Sequence, residues 1–173
     1  MHLLNLTICY TSQGPNLLWH LQNGVLEPLN PKYWLVVVGS NDLFVANCTD
    51  RFVFANILNV LQYLHMHRPK AQFLVHGILP RKDSGKKDPY SLGNYWKRGQ
   101  AINVQLRNFC SNHVNLHYIQ AGPLFTEETE SRGRRRISPK FMKDGIHPTV
   151  EGLEVWGDYI LKVLAGNTTK LIP

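Results

Sequence analysis

Apolar runs alternate with helical stripes along most of this chain. Leu3 to Cys9 reads as a buried strand, and Asn16 to Gln22, with Leu17, Leu18 and Leu21, as a short helix stopped by Asn23-Gly24. Tyr33 to Val38 is continuously apolar through Val36-Val37-Val38, the pattern of a strand covered on both faces. From Phe52 to His67 the apolar positions 53, 57, 60, 61 and 64 fall at helical spacing, and the stripe ends before Arg68-Pro69. Phe73 to Leu79 predicts another strand, ended by Pro80. Tyr95 to Ser111 predicts a helix through Ile102, Leu106 and Phe109, and Val114 to Ile119 a further strand. Thr149 to Ala165 predicts the last helix, with Leu153, Trp156, Ile160, Val163 and Leu164 inward and Gly166 beyond its end.

The resulting order, β-α-β-α-β-α-β-loop-α, predicts an α/β sandwich around a mostly parallel sheet with right-handed crossovers. No repeat or boundary interrupts it, so residues 1–173 read as a single domain. Two polar stretches, 82–94 and 126–145, are longer than ordinary connections, and loops of that length are often functional.

Composition narrows the function classes. A hydrophobic content of 43% over 173 residues suffices for a core. No apolar run reaches the ~18 residues that a membrane span needs. The first residues lack the basic and apolar regions of a signal peptide, so a cytoplasmic location is expected. Cys9, Cys48 and Cys110 are odd in number and widely spaced, which suits free or buried thiols, and no Cys-x-x-Cys pair predicts zinc. Lys and Arg number 19 against 12 Asp and Glu, much of the excess lying in 81–87 and 132–143. A nucleic-acid partner is the functional reading of such charge, but no aromatic residues interleave with Arg134-Arg135-Arg136 to stack bases, and solvated loops are favoured.

Candidate chemistry gathers where such sheets place it, at the carboxyl ends of strands. Asp144 and His147, three residues apart and followed by Pro148, can fold back so that the carboxylate fixes the imidazole tautomer. Asn41, after the Gly39-Ser40 turn, can offer an amide to a developing oxyanion. Each alone reads as an ordinary turn or helix-start residue. His65 and His67, two apart on a helix, point to different sides and make a poor metal pair.

Gly39-Ser40-Asn41-Asp42 resembles the third block of the SGNH (GDSL-type) hydrolases, and Asp144-Gly145-Ile146-His147-Pro148 the fifth. Trp19-His20-Leu21-Gln22-Asn23-Gly24, Asn30-Pro31-Lys32, Ile78-Leu79-Pro80-Arg81 and Asn103 are similar to the platelet-activating-factor acetylhydrolase branch of that family. The resemblance spans Leu3 to about Leu164. It implies a flavodoxin-like three-layer α/β/α sandwich and hydrolysis of a small ester without metal or organic cofactor. His147 would be general base, Asp144 its orienter and Asn41 an oxyanion donor. The second-block glycine, a backbone oxyanion donor, falls at Thr11. Homodimerisation follows only by family analogy.

The family's nucleophile is the serine of a Gly-Asp-Ser block after its first strand, and this sequence has no Gly-Asp-Ser. Ser12 and Ser40 lie in a loop and a turn and sit in no recognisable nucleophile setting. No nucleophile is identified. The run Leu3 to Cys9 matches the family's second strand, which predicts a sheet lacking its first strand and an N-terminally shortened chain. In that case Leu3 to Cys9 and Tyr33 to Val38 should either flank a slot ~10 Å wide or pair directly at ~4.8 Å. Three functions remain open: an esterase, inactive or weak as written; a pseudoenzyme that binds without hydrolysis; and a basic nucleic-acid-binding module.

Overall fold

The structure is a computed structural model. It describes residues 6–9, 13–83, 85, 87–130 and 133–166. The chain groups into two compact units, residues 1–78 with 98–118, and residues 79–97 with 119–173.

The first unit holds the sheet. Strands β1 (Leu6–Cys9), β2 (Tyr33–Val36), β3 (Gln72–His76) and β4 (Leu116–Ile119) lie in that order. The first three are parallel, with Leu6 opposite Tyr33 and Tyr33 opposite Gln72. Of the two arrangements anticipated for the Leu3-to-Cys9 run, direct pairing with the next strand is the one observed, and no strand lies between.

Trp34, Leu35 and Val36 on β2 and Phe73, Leu74 and Val75 on β3 are all buried. Consecutive buried residues mean that both faces of these strands are covered, as their unbroken apolar runs require. Helix α3 (Asp50–His67) supplies part of the cover, and its predicted stripe is buried at Val53, Ile57, Val60, Leu61 and Leu64. The Thr49 hydroxyl caps it by accepting from the Phe52 N–H at 3.3 Å, one of the donors a helix start leaves unpaired. Helix α1 (Gly14–His20) continues through a wider turn, Leu21–Val25, which Gly24 leaves at φ +95°. Helix α4 (Asn94–Cys110) buries Ile102 and Leu106. Its Asn103 amide lies against the chain just past β3, where Oδ1 accepts from the Ile78 N–H at 2.6 Å and Nδ2 donates to the Ile78 carbonyl at 3.0 Å.

The second unit differs from expectation. The polar stretch 126–145 contains an antiparallel hairpin, β5 (Thr126–Glu128) with β6 (Arg135–Ile137). Arg136 pairs with Glu127 at 2.8 Å, and Arg135 donates to the Thr126 carbonyl and hydroxyl at 2.9 and 3.0 Å. The Ser138 hydroxyl and Arg136 both hold the Glu127 carboxyl below its usual range. Two of the three arginines considered for nucleic acid are therefore committed inside the hairpin.

Helix α5 (Val150–Leu164) begins at Thr149, whose hydroxyl accepts from the Gly152 N–H at 3.1 Å and donates to the Lys140 carbonyl at 2.9 Å. Trp156 and Ile160 face inward as predicted, with Trp156 edge-on to Phe125 at 6.1 Å between ring centres. Leu153 does not, being 51% exposed. Gly152 takes the inward place instead, because the Phe141 carbonyl oxygen lies 2.5 Å from where a Cβ would stand.

Among the described residues, no helix is long and apolar enough to cross a membrane. No three His, Cys, Asp or Glu gather as metal ligands among them. Cys48 and Cys110 are free thiols, and burial pushes Cys110 up to about 11.

Candidate active site

The Asp144-to-His147 turn closes on itself within four residues. Gly145 takes φ +71°, a left-handed conformation that glycine adopts without strain, and its N–H donates to the Met142 carbonyl at 2.9 Å. The reversal brings the Asp144 carboxylate over the chain that follows. Its Oδ1 accepts from the Ile146 and His147 N–H groups at 2.8 and 2.7 Å, and its Oδ2 lies 2.7 Å from His147 Nδ1. Pro148 follows the pair, and the Thr149 cap then starts α5.

The electrostatics follow from these contacts. Burial opposes the Asp144 charge, but the His147 N–H, the imidazole and the Ile146 N–H outweigh it and hold the carboxyl down to about 2. An ionised carboxylate can only accept, so Nδ1 carries the hydrogen and the lone pair is on Nε2. The His147 side chain is 66% exposed, so Nε2 is open to an incoming molecule. This geometry can take a proton at Nε2 and stabilise the resulting imidazolium through Asp144.

The other predicted donor lies in the first unit. Gly39, at φ +104°, turns the chain from β2 into the short helix α2 (Ser40–Phe44). A Cβ there would meet Ile57 Cδ1 at 2.9 Å and Val53 Cγ1 at 3.2 Å, so only glycine fits. Asn41 sits in the first turn of α2, and its carbonyl accepts from the Val45 and Ala46 N–H groups at 2.9 and 3.1 Å. Ser40 opens the same helix. Thr11 and Ser12 lie outside the described residues.

Sequence reasoning missed Asp42. It is buried to 1% exposure, its Oδ2 accepting from the Gly14 N–H at 2.8 Å and its Oδ1 from the Asn56 amide at 2.9 Å. Its partners come from α1 and α3, so it fixes the turn that carries Asn41. A polar residue beside a glycine turn gave no local signal of that. His76, at the end of β3, was missed as well. Burial drives it down to about 4, although its bond to the Gly77 carbonyl works the other way, so it stays neutral around neutrality.

The chain is also similar to known proteins. The chain matches the GDSL-like Lipase/Acylhydrolase family over residues 9–155. It is 30% identical over 147 residues to bovine platelet-activating factor acetylhydrolase IB subunit alpha1, covering 85% of this chain and 56% of that protein. The human alpha1 subunit is 30% identical over 132 residues, covering 76% and 51%. The chain thus spans about half the length of the curated relatives it matches. Among solved structures, a GDSL-like lipase from Bacteroides thetaiotaomicron superposes with a TM-score of 0.70 at 17% identity, over 90% of this chain and 72% of that one. Sequence match and fold agree: this chain belongs to the GDSL-like lipase/acylhydrolase family.

Proposed function

We propose that this chain carries the acid–base half of an acyl-ester hydrolase, with His147 as general base and Asp144 as its orienting carboxylate. The supporting observation is the 2.7 Å Asp144–His147 contact, in which the second carboxylate oxygen is already occupied by two backbone amides. The pair therefore has one arrangement available to it. In the reaction, His147 Nε2 takes the proton of the attacking hydroxyl and returns it to the departing alcohol. Asn41 enters on its sequence motif, as a donor to the oxyanion of the tetrahedral intermediate. Such a donor is worth ~3–4 kcal/mol in acyl transfer. The bovine and human relatives are named as acetylhydrolases, and the substrate class we assign is an ester with a small acyl group.

The 173 residues contain no Gly-Asp-Ser. In this reading the attacking serine comes from sequence outside them, and the chain alone hydrolyses weakly or not at all. The same observation favours a second reading, a family member that binds a ligand without turnover.

Hydrolysis of p-nitrophenyl acetate separates the two. The chain alone is compared with a fusion that adds an upstream strand and Gly-Asp-Ser turn. The hydrolase reading expects activity in the fusion, reduced about 10³-fold or more by His147→Ala. A fusion that folds and stays silent rejects it in favour of the binding reading.

A further inference from the structure

The polar stretch 82–94 has no part in the hydrolase motif, yet it holds the Asp144 turn at three points. The Tyr90 hydroxyl donates to the Lys143 carbonyl at 2.9 Å. The Lys82 N–H donates to the Gly145 carbonyl at 2.8 Å. These two carbonyls flank Asp144 on either side. The third contact is steric: the Pro89 carbonyl oxygen occupies the space that a Cβ at position 145 would need, and Lys82 Cβ lies 3.3 Å from it.

The stretch is itself anchored. The Tyr90 N–H donates to Asp88 Oδ1 at 2.9 Å, and the Tyr90 carbonyl accepts from the N–H of Ile137, fully buried on β6, at 2.8 Å. Ser91 bridges to Arg136. At the far end, the Asp83 carboxylate accepts from the Asn94 and Tyr95 N–H groups at 2.7 and 2.9 Å, capping the start of α4. A chain tied at both ends and bonded on both sides of Asp144 restrains that residue's backbone. The direction of the carboxylate, and with it the tautomer of His147, depends on that restraint.

We infer that Lys82, Asp83 and residues 87–91 form a brace that sets the Asp144–His147 geometry, with Tyr90 as a positioning residue acting through the Lys143 carbonyl. The inference rests on the reading of His147 as the base. The Tyr90 hydroxyl bonds the Lys143 carbonyl rather than His147 or the Asp144 carboxylate, so its effect is on orientation. The Tyr90→Phe variant removes one hydrogen bond from a side chain at the surface and keeps the ring. Net contributions of ~0.5–1.5 kcal/mol per bond correspond to roughly 2- to 12-fold in an equilibrium.

The test is NMR on the 173-residue chain, which needs no turnover. The exchange rate of the His147 Nδ1–H and those of the Ile146 and His147 amides are measured in the parent, Tyr90→Phe and Asp144→Asn. The brace expects Tyr90→Phe to move the Nδ1–H exchange rate part of the way towards that of Asp144→Asn. It also expects exchange at those two amides to accelerate by about 2- to 12-fold. The amides of α5 and the melting temperature should stay close to the parent. A Tyr90→Phe variant that matches the parent while Asp144→Asn differs overturns the brace and leaves the pair intact. If Asp144→Asn also matches the parent, the Asp144–His147 pair itself fails, and the proposed base with it.

Discussion

The Asp144-to-His147 turn and the Gly39-to-Phe44 turn carry the two motif blocks, and they are built in opposite ways. In the first, every bond that defines the pair lies within four residues, and the side chains remain half or more exposed. In the second, the organising group is buried, and its partners are 28 and 14 positions away. The bonds that define a local turn need only its own residues, and distant contacts such as those of Lys82 and Tyr90 brace it rather than build it. A turn wired to distant helices can form only with the rest of the unit, so damage to it becomes a loss of stability. The same family signature thus contains one block bonded locally and one bonded to distant helices.

The largest expected effect breaks the second turn. Asp42→Ala strands the Gly14 N–H and the Asn56 amide in the interior, and denaturant unfolding should show a loss of about 3–5 kcal/mol. A loss below about 1 kcal/mol would remove the distinction between the turns. Gly145→Ala comes next. It combines a left-handed backbone with the steric block from Pro89, and should cost about 1–3 kcal/mol in the same measurement.

The smallest effect belongs to the ion pair. The Asp144 carboxyl is held down to about 2 from a reference of 3.8. The unfolded chain therefore takes up the proton first on acidification. The stabilisation is present above about pH 4 and is lost as pH falls towards 2. Solvent screening of the exposed pair keeps it under about 1 kcal/mol. Melting temperatures of the parent and Asp144→Asn should differ slightly at pH 6 and converge by about pH 2. A gap that persists at pH 2 would mean that the carboxylate stabilises the fold by something other than its charge.

Legibility in the sequence follows the same division. The Asp144–His147 pair could be read because its chemistry is contained in consecutive residues. The helices and strands with strong periodicity could be read too, α3 most fully, since its whole stripe is buried. The β5–β6 hairpin could not. Its strands are three residues long, and pairs such as Glu127 with Arg136 replace the apolar alternation that announces a strand. Leu153 was misplaced because periodicity counts apolar side chains and overlooks a glycine admitted by close backbone approach. The role of Asp42 and that of Tyr90, whose bond spans 53 positions, exist only once the chain is folded.

Asn103 acts on the first unit as a mechanical detent. Its amide presents a donor and an acceptor to the two backbone groups of Ile78, as a neighbouring strand would. A packed helix can in general slide or roll by a turn with modest change in its apolar contacts. A shift of α4 by one turn would break both of the bonds that Asn103 makes to Ile78. Helix α4 is therefore indexed against the end of β3 at Asn103.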